Sequence, residues 1–207
     1  PDKQVVLRIG QGGGISVIDA VGGLASPYLA ANPKGRQVVF FSKAAKEQPQ
    51  IFDVAQSQKP SLSFLLPWQN VPPLGQQSGP EPYRAVWHPD GKRIAFYNDF
   101  GFYLADLTTH QICEIDLGTQ PNGKRWAVDA QWSPNGYYIA TLTTVGDPIV
   151  RFIDLTIIDI NTGERRQVNL GLQYLYAIAW APNSRDLLVV AETNSDQRGS
   201  LHGLYLV

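Results

Sequence analysis

The 207-residue sequence contains no methionine, a single cysteine and three histidines. With only Cys113, an intrachain disulfide or a cysteine-based zinc site is excluded, and the redox compartment cannot be read. Cys113 lies in the strand-like run Gln111-Ile112-Cys113-Glu114-Ile115, where a small apolar packing role is expected. The missing methionine reads as the mark of a processed chain or a fragment. His88, His110 and His202 stand far apart without metal-ligand spacing, so no metal and no cofactor is expected. No apolar run approaches the roughly 18 residues that cross a bilayer, and Pro1-Asp2-Lys3-Gln4 does not read as an export leader, so no membrane insertion is expected. Neither sign of charge dominates: 17 basic residues face 18 acidic ones. Without a block of like charge there is no electrostatic ground for binding nucleic acid or anionic lipid.

What is present is a packed-core composition, 43% hydrophobic and 17% charged, and a repeat. Trp87-His88-Pro89-Asp90-Gly91 leads into Lys92-Arg93-Ile94-Ala95-Phe96, and Trp132-Ser133-Pro134-Asn135-Gly136 into Tyr137-Tyr138-Ile139-Ala140-Thr141. Trp180-Ala181-Pro182-Asn183-Ser184 continues as Arg185-Asp186-Leu187-Leu188-Val189, and Asn32-Pro33-Lys34-Gly35 as Arg36-Gln37-Val38-Val39-Phe40, with Ala31 in the tryptophan's place. The turns at 35, 91, 136 and 184 are spaced 56, 45 and 48 residues apart. Each unit begins with an apolar strand ending in Trp. Proline then presets one turn angle, Asp-Gly or Asn-Gly supplies left-handed backbone, and a β-branched or aromatic strand returns. A third strand ends in an aspartate, Asp53, Asp106 or Asp159, whose carboxylate is placed to accept hydrogen bonds from turn amides. A fourth is expected over 112–117 and 166–170. Four strands per unit, a period near 45 and no helical periodicity describe an all-β propeller of four-stranded antiparallel blades.

The Trp-Ser-Pro-Asn-Gly and Trp-His-Pro-Asp-Gly modules, followed by Ile-Ala and then by an aromatic-x-x-Asp-Leu strand, resemble the repeats of TolB-like and WD-repeat-like propellers. Ser184 in place of glycine and Ala31 in place of tryptophan depart from that pattern. About five blades are expected, near 1–24, 25–80, 81–124, 125–172 and 173–207, three complete and two partial, as an arc of a larger propeller. The opening residues align with the turn of a later unit, so the first blade is expected to lack its first strand. The last four residues match the third strand of a unit, so the fifth is expected to lack its fourth. In a rival register 5–9 and 15–19 are the third and fourth strands of a blade shared between the two ends.

The resemblance implies a non-catalytic module that binds a protein or peptide partner. The alternative is the gating propeller of a larger peptidase resembling the prolyl oligopeptidase family, whose catalytic domain would lie outside this chain; a sensor domain fused to a signalling module is a third reading. The resemblance leans toward a bacterial protein, with the envelope, periplasm or exterior as candidate compartments. Gly10-Gln11-Gly12-Gly13-Gly14 reads as a hairpin loop, because a phosphate-binding loop needs a helix after its glycines. Gly199-Ser200-Leu201-His202-Gly203 does not match the nucleophile motif of hydrolases, and no catalytic residue is assigned. Two surfaces are candidates for the partner. One is the excursion at 60–82, with Trp68, Pro72 and Pro73 in an extended, proline-rich stretch. The other is the mouth of the central channel near Arg84, Asp129 and Tyr176, placed at the starts of the inner strands by analogy of fold.

Overall fold

A computed structural model describes residues 6–9, 15–18, 29–35, 37–41, 49–53, 84–98, 101–120, 123–145, 153–168, 174–193 and 201–206. Within them there is no helix, and none long and apolar enough to cross a membrane. Among the described residues seventeen strands form five antiparallel sheets in chain order.

The first sheet is a hairpin of β1 (Val6–Ile9) and β2 (Ile15–Ile18), so the glycine-rich 10–14 segment connects strand to strand. The second joins β3 (Ala30–Ala31), β4 (Gln37–Phe41) and β5 (Pro49–Asp53). The third has the expected four strands, β6 (Arg84–Trp87), β7 (Arg93–Asn98), β8 (Gly101–Asp106) and β9 (Gln111–Glu114). The fourth gains a short strand, β10 (Thr119–Gln120), which pairs with the start of β11 (Gly123–Trp132) and is followed by β12 (Tyr138–Val145), β13 (Ile153–Asp159) and β14 (Arg165–Val168). The fifth contains β15 (Tyr174–Trp180), β16 (Leu187–Thr193) and β17 (Leu201–Leu206).

Strand β9 ends three residues earlier than expected. The Ile115 amide still donates to the Phe102 carbonyl at 2.7 Å, beyond which the chain leaves the ladder and Leu117 turns into the core. Cys113 also departs from expectation, since it is exposed on β9. The outermost strand of a radial sheet has no neighbour to cover it, so an apolar-looking run there need not be buried.

The first strands β3, β6, β11 and β15 touch one another from sheet to sheet, which places them where the sheets converge. Alternation along each strand sends one set of side chains to the preceding sheet and the other to the next. Tyr97 and Phe102 of the third sheet therefore pack against Ala130, Trp132 and Ile139 of the fourth. On the other face of the fourth, Ala140, Leu142 and Leu155 meet Ile178, Leu187 and Val189 of the fifth. Val39 and Ile51 meet Trp87 and Ile94 in the same way. From the second sheet to the fifth, each thus shares a core with the next, so the hydrophobic stabilisation is distributed between sheets.

Candidate functional site at the inner strands

The tryptophan modules form a frame whose contacts recur. The indole Nε1 of Trp87 donates to the Ala30 carbonyl at 2.8 Å, that of Trp132 to Val86 at 3.2 Å, and that of Trp180 to Gln131 at 3.1 Å. Every acceptor is the residue just before the tryptophan position of the preceding sheet. The residue just after that position reaches the other way: Asn32 Nδ2 donates to the Gly91 carbonyl at 2.9 Å, and His88 Nε2 lies 3.0 Å from that of Gly136. At the next junction the roles exchange, and the Ser184 hydroxyl accepts from the Asn135 amide at 3.0 Å.

Within each turn the backbone follows its residues. The Gly91 amide donates to the His88 carbonyl at 2.9 Å and the Gly136 amide to Ser133 at 2.8 Å. Gly91, Gly136 and Ser184 have φ of 72°, 76° and 59°, the left-handed backbone that the turn chemistry requires. The strand-ending aspartates act as expected: Asp106 Oδ1 accepts from the amides of Thr108 and Thr109 at 2.8 and 3.0 Å, and Asp159 Oδ1 from Asn161 and Thr162 at 2.8 and 3.2 Å.

On this frame the inner strands carry side chains that differ from sheet to sheet. Register shifts in β11 and β15 leave Val128 and Tyr176 as bulge residues, each four positions before the tryptophan. A bulge re-aims the side chains beside it. The next position along is Arg84 in the third sheet, Asp129 in the fourth and Ala177 in the fifth. Arg84 opens β6, but Asp129 lies well inside β11 and Tyr176 is the third residue of β15, so the expectation that all three start their strands holds for Arg84 alone.

Arg84 and Asp129 come together across the junction. The Arg84 guanidinium donates to the Val128 carbonyl at 3.0 Å, and Asp129 Oδ1 accepts from its neighbour's amide, Ala130, at 2.9 Å and from the Tyr97 hydroxyl at 3.4 Å. Burial pushes the Asp129 carboxyl above the usual carboxylate range, although the Ala130 amide, Arg84 and Tyr97 all pull it down. Burial and the neighbouring Asp129 charge likewise push the Tyr97 phenol up. Tyr176 is 53% exposed on the following sheet. Trp68, Pro72 and Pro73 lie outside the described residues.

Tyr97 is the member that sequence reading missed. It sits in the ordinary run Arg93-Ile94-Ala95-Phe96-Tyr97, and nothing local signals that its hydroxyl meets a carboxylate 32 residues away. His88 was also undervalued, for the same reason: its partner is 48 residues distant.

An open cleft of about 810 Å³ lies between the outer strands of the third sheet and Ile160, lined also by Arg93, Leu104, Asp106 and Cys113. Of its charged residues, Arg93 is paired with Asp90 at 3.1 Å and Asp106 accepts from its turn amides, and Glu114 is the third. Among the described residues no group of three or more potential metal ligands forms.

No family model and no curated protein matches this sequence. Solved structures do. TolB from Acinetobacter baumannii aligns over 95% of this chain with a TM-score of 0.54 and 21% identity. The hydrazine synthase of Kuenenia stuttgartiensis aligns over 93% with a TM-score of 0.57 and 14% identity. The Swd1 β-propeller domain from Myceliophteria thermophila aligns over 95% with a TM-score of 0.56 and 14% identity. The chain spans 43%, 56% and 62% of those chains, respectively. Proteins described so differently share a scaffold and not an activity. Repeating sheets, recurring tryptophan ties and these likenesses establish that the chain has the TolB-like, WD-repeat-like β-propeller fold.

Proposed function

We propose that this chain is a non-catalytic propeller module that binds a protein or peptide partner across the inner-strand mouth, with Arg84, Asp129 and Tyr176 as contact residues. The observation that carries the reading is the contrast between a frame that repeats and positions that do not. The indole ties recur at the three junctions from the second sheet to the fifth, whereas the bulge residue and its successor read Val128 and Asp129 in one sheet and Tyr176 and Ala177 in the next. Positions released from the repeat's structural demands can serve recognition. Asp129 offers a half-buried carboxylate to a donor, Arg84 a guanidinium, and Tyr176 an exposed ring of the kind enriched at binding hot spots. The 60–82 excursion, with Trp68, Pro72 and Pro73, supplies a second contact.

A random linear peptide library displayed on phage tests this. Selected peptides are expected to bind the Tyr176→Ala and Arg84→Ala variants at least about tenfold more weakly, the loss of one hot-spot side chain. The Tyr176→Ala variant should keep the parental melting temperature, because its ring is exposed. Failure to enrich any peptide, or enriched peptides indifferent to Tyr176→Ala, Arg84→Ala and Trp68→Ala together, would overturn the assignment.

A further inference from the structure

Asp129 uses one of its two carboxylate oxygens. Oδ1 accepts from the Ala130 amide at 2.9 Å and from the Tyr97 hydroxyl at 3.4 Å, whereas no donor among the described residues reaches Oδ2. Nor is Oδ2 sealed in the core. Among the described residues Thr144 Oγ1 alone is a side-chain nitrogen or oxygen both buried and without a partner, so Oδ2 meets solvent.

The frame needs the shape of this side chain and not its charge. An amide in its place would accept the same two bonds through its oxygen. The fifth sheet carries Ala177 at the matching position and still forms its indole tie, Trp180 to Gln131 at 3.1 Å. The charge is also unfavourable where it stands, because burial opposes ionisation more than the Ala130 amide, Arg84 and Tyr97 together favour it. An ionised group that the scaffold neither requires nor favours, with one oxygen turned to solvent, has the character of a recognition group.

We infer that Oδ2 of Asp129 receives a primary ammonium of the partner, from a lysine side chain or from a chain's amino terminus. The inference rests on the proposed binding at the inner strands and names the chemistry recognised there. An ionised carboxylate only accepts, so its occupant must donate, and a charged donor bonds it most strongly. Oδ1 already holds two donors, which leaves one oxygen and not the pair that a guanidinium fork grips; a compact ammonium needs only one. The neighbouring inner strand β15 touches β11 and carries the exposed ring of Tyr176, a surface for the methylene stem of a lysine. Arg84 acts on the same carboxyl, so the site is close to neutral as a whole. Binding should then depend on contact at Oδ2 and little on long-range attraction, and should respond weakly to salt.

Peptides selected from the random library at pH 8 and synthesised in three forms test this: unmodified, acetylated at lysine, and acetylated at the amino terminus. Calorimetry measures binding of each to the parent and to Asp129→Asn. One of the acetylated forms, and which one tells lysine from amino terminus, should bind the parent at least about tenfold more weakly than the unmodified peptide, with no such difference on Asp129→Asn. The unmodified peptide should itself lose about tenfold on Asp129→Asn, although that variant should have the higher urea midpoint at pH 8. Affinity for the parent should weaken as the pH falls and Asp129 takes up a proton, a loss absent from Asp129→Asn. A library that yields no binder overturns the binding reading and this inference with it. Binders that keep their affinity with both amines acetylated, or that lose equally on the parent and on Asp129→Asn, overturn this inference alone, as does an Asp129→Asn variant less stable than the parent at pH 8, which would make the charge structural.

Discussion

The imidazole Nε2 of His88 lies 3.0 Å from the carbonyl oxygen of Gly136, one sheet away. The same ring stands edge-on to Trp132, centroid to centroid 4.4 Å. Around it, Asp90 Oδ1 lies 2.7 Å from Nδ1, and the Arg93 guanidinium 2.7 Å from Nε2. A residue that sequence spacing marks only as one turn position is the point where two units lock. His88→Ala should cost about 1–3 kcal/mol, the usual penalty for leaving a buried group unpaired. His88→Asn should recover much of that loss, since Asn32 makes the equivalent bond to Gly91. Denaturant unfolding of the two variants checks the prediction, and equal losses would remove the tie from the account.

Gly136 and Gly163 separate backbone strain from close approach. Both have positive φ, 76° and 72°. A Cβ on Gly163 would meet nothing within 4 Å, whereas one on Gly136 would run into the His88 ring. Gly163→Ala should therefore cost about 1–2 kcal/mol, the left-handed penalty alone. Gly136→Ala should cost more, on the order of 3 kcal/mol, because the ring or the turn must move. Melting curves that rank the two equally would mean that the ring gives way freely.

Trp132→Phe keeps an aromatic ring in the core but removes the donor to the Val86 carbonyl. A loss near 1 kcal/mol is expected, the net worth of one hydrogen bond. Trp132→Ala should cost about 3–5 kcal/mol through the cavity it leaves between the third and fourth sheets. A Phe variant as damaged as the Ala variant would show that the indole tie, and not ring volume, dominates the junction.

The pH dependence of stability should carry two opposite contributions. The Thr109 amide, opposed by burial and helped by the Thr108 amide, the Thr109 side chain and Arg93, holds the Asp106 carboxyl below the usual range. For Asp90 burial pushes upward, but the Lys92 amide, His88 and Arg93 outweigh it, so its carboxyl is lowered too. A folded-state value below the unfolded one gives stability that is present above roughly pH 4 and lost as the pH falls through the folded value. Asp129 has the opposite sign: its raised value means that stability is lost as the pH rises from the unfolded value through the folded one. Urea midpoints measured across the acidic range should show Asp106→Asn flattening the acid-side loss and Asp129→Asn flattening the loss on the higher-pH side. An Asp129→Asn curve parallel to the parent would contradict the burial of that carboxyl.

Much of this fold was legible because its signals are local. Trp-x-Pro-Asp/Asn-Gly encodes a strand end, a preset turn angle and a left-handed residue within five positions, and the terminal aspartates of the third strands cap turns two and three residues away. The candidate site was legible only in outline. Sequence alone sets Arg84 and Asp129 near one mouth only by analogy of fold, the participation of Tyr97 depends on which sheet faces which, and the extra strand β10 depends on pairing that no period announces.

By itself, the sequence determined that repeated antiparallel units would form and where each would turn, since alternation and turn chemistry act over a few neighbouring residues. Only the tertiary structure decided which units lean on which. The ties of Trp87 to Ala30, Trp132 to Val86 and His88 to Gly136 join residues 57, 46 and 48 positions apart. Contacts at such separations exist only once the sheets have stacked and water has left the space between them.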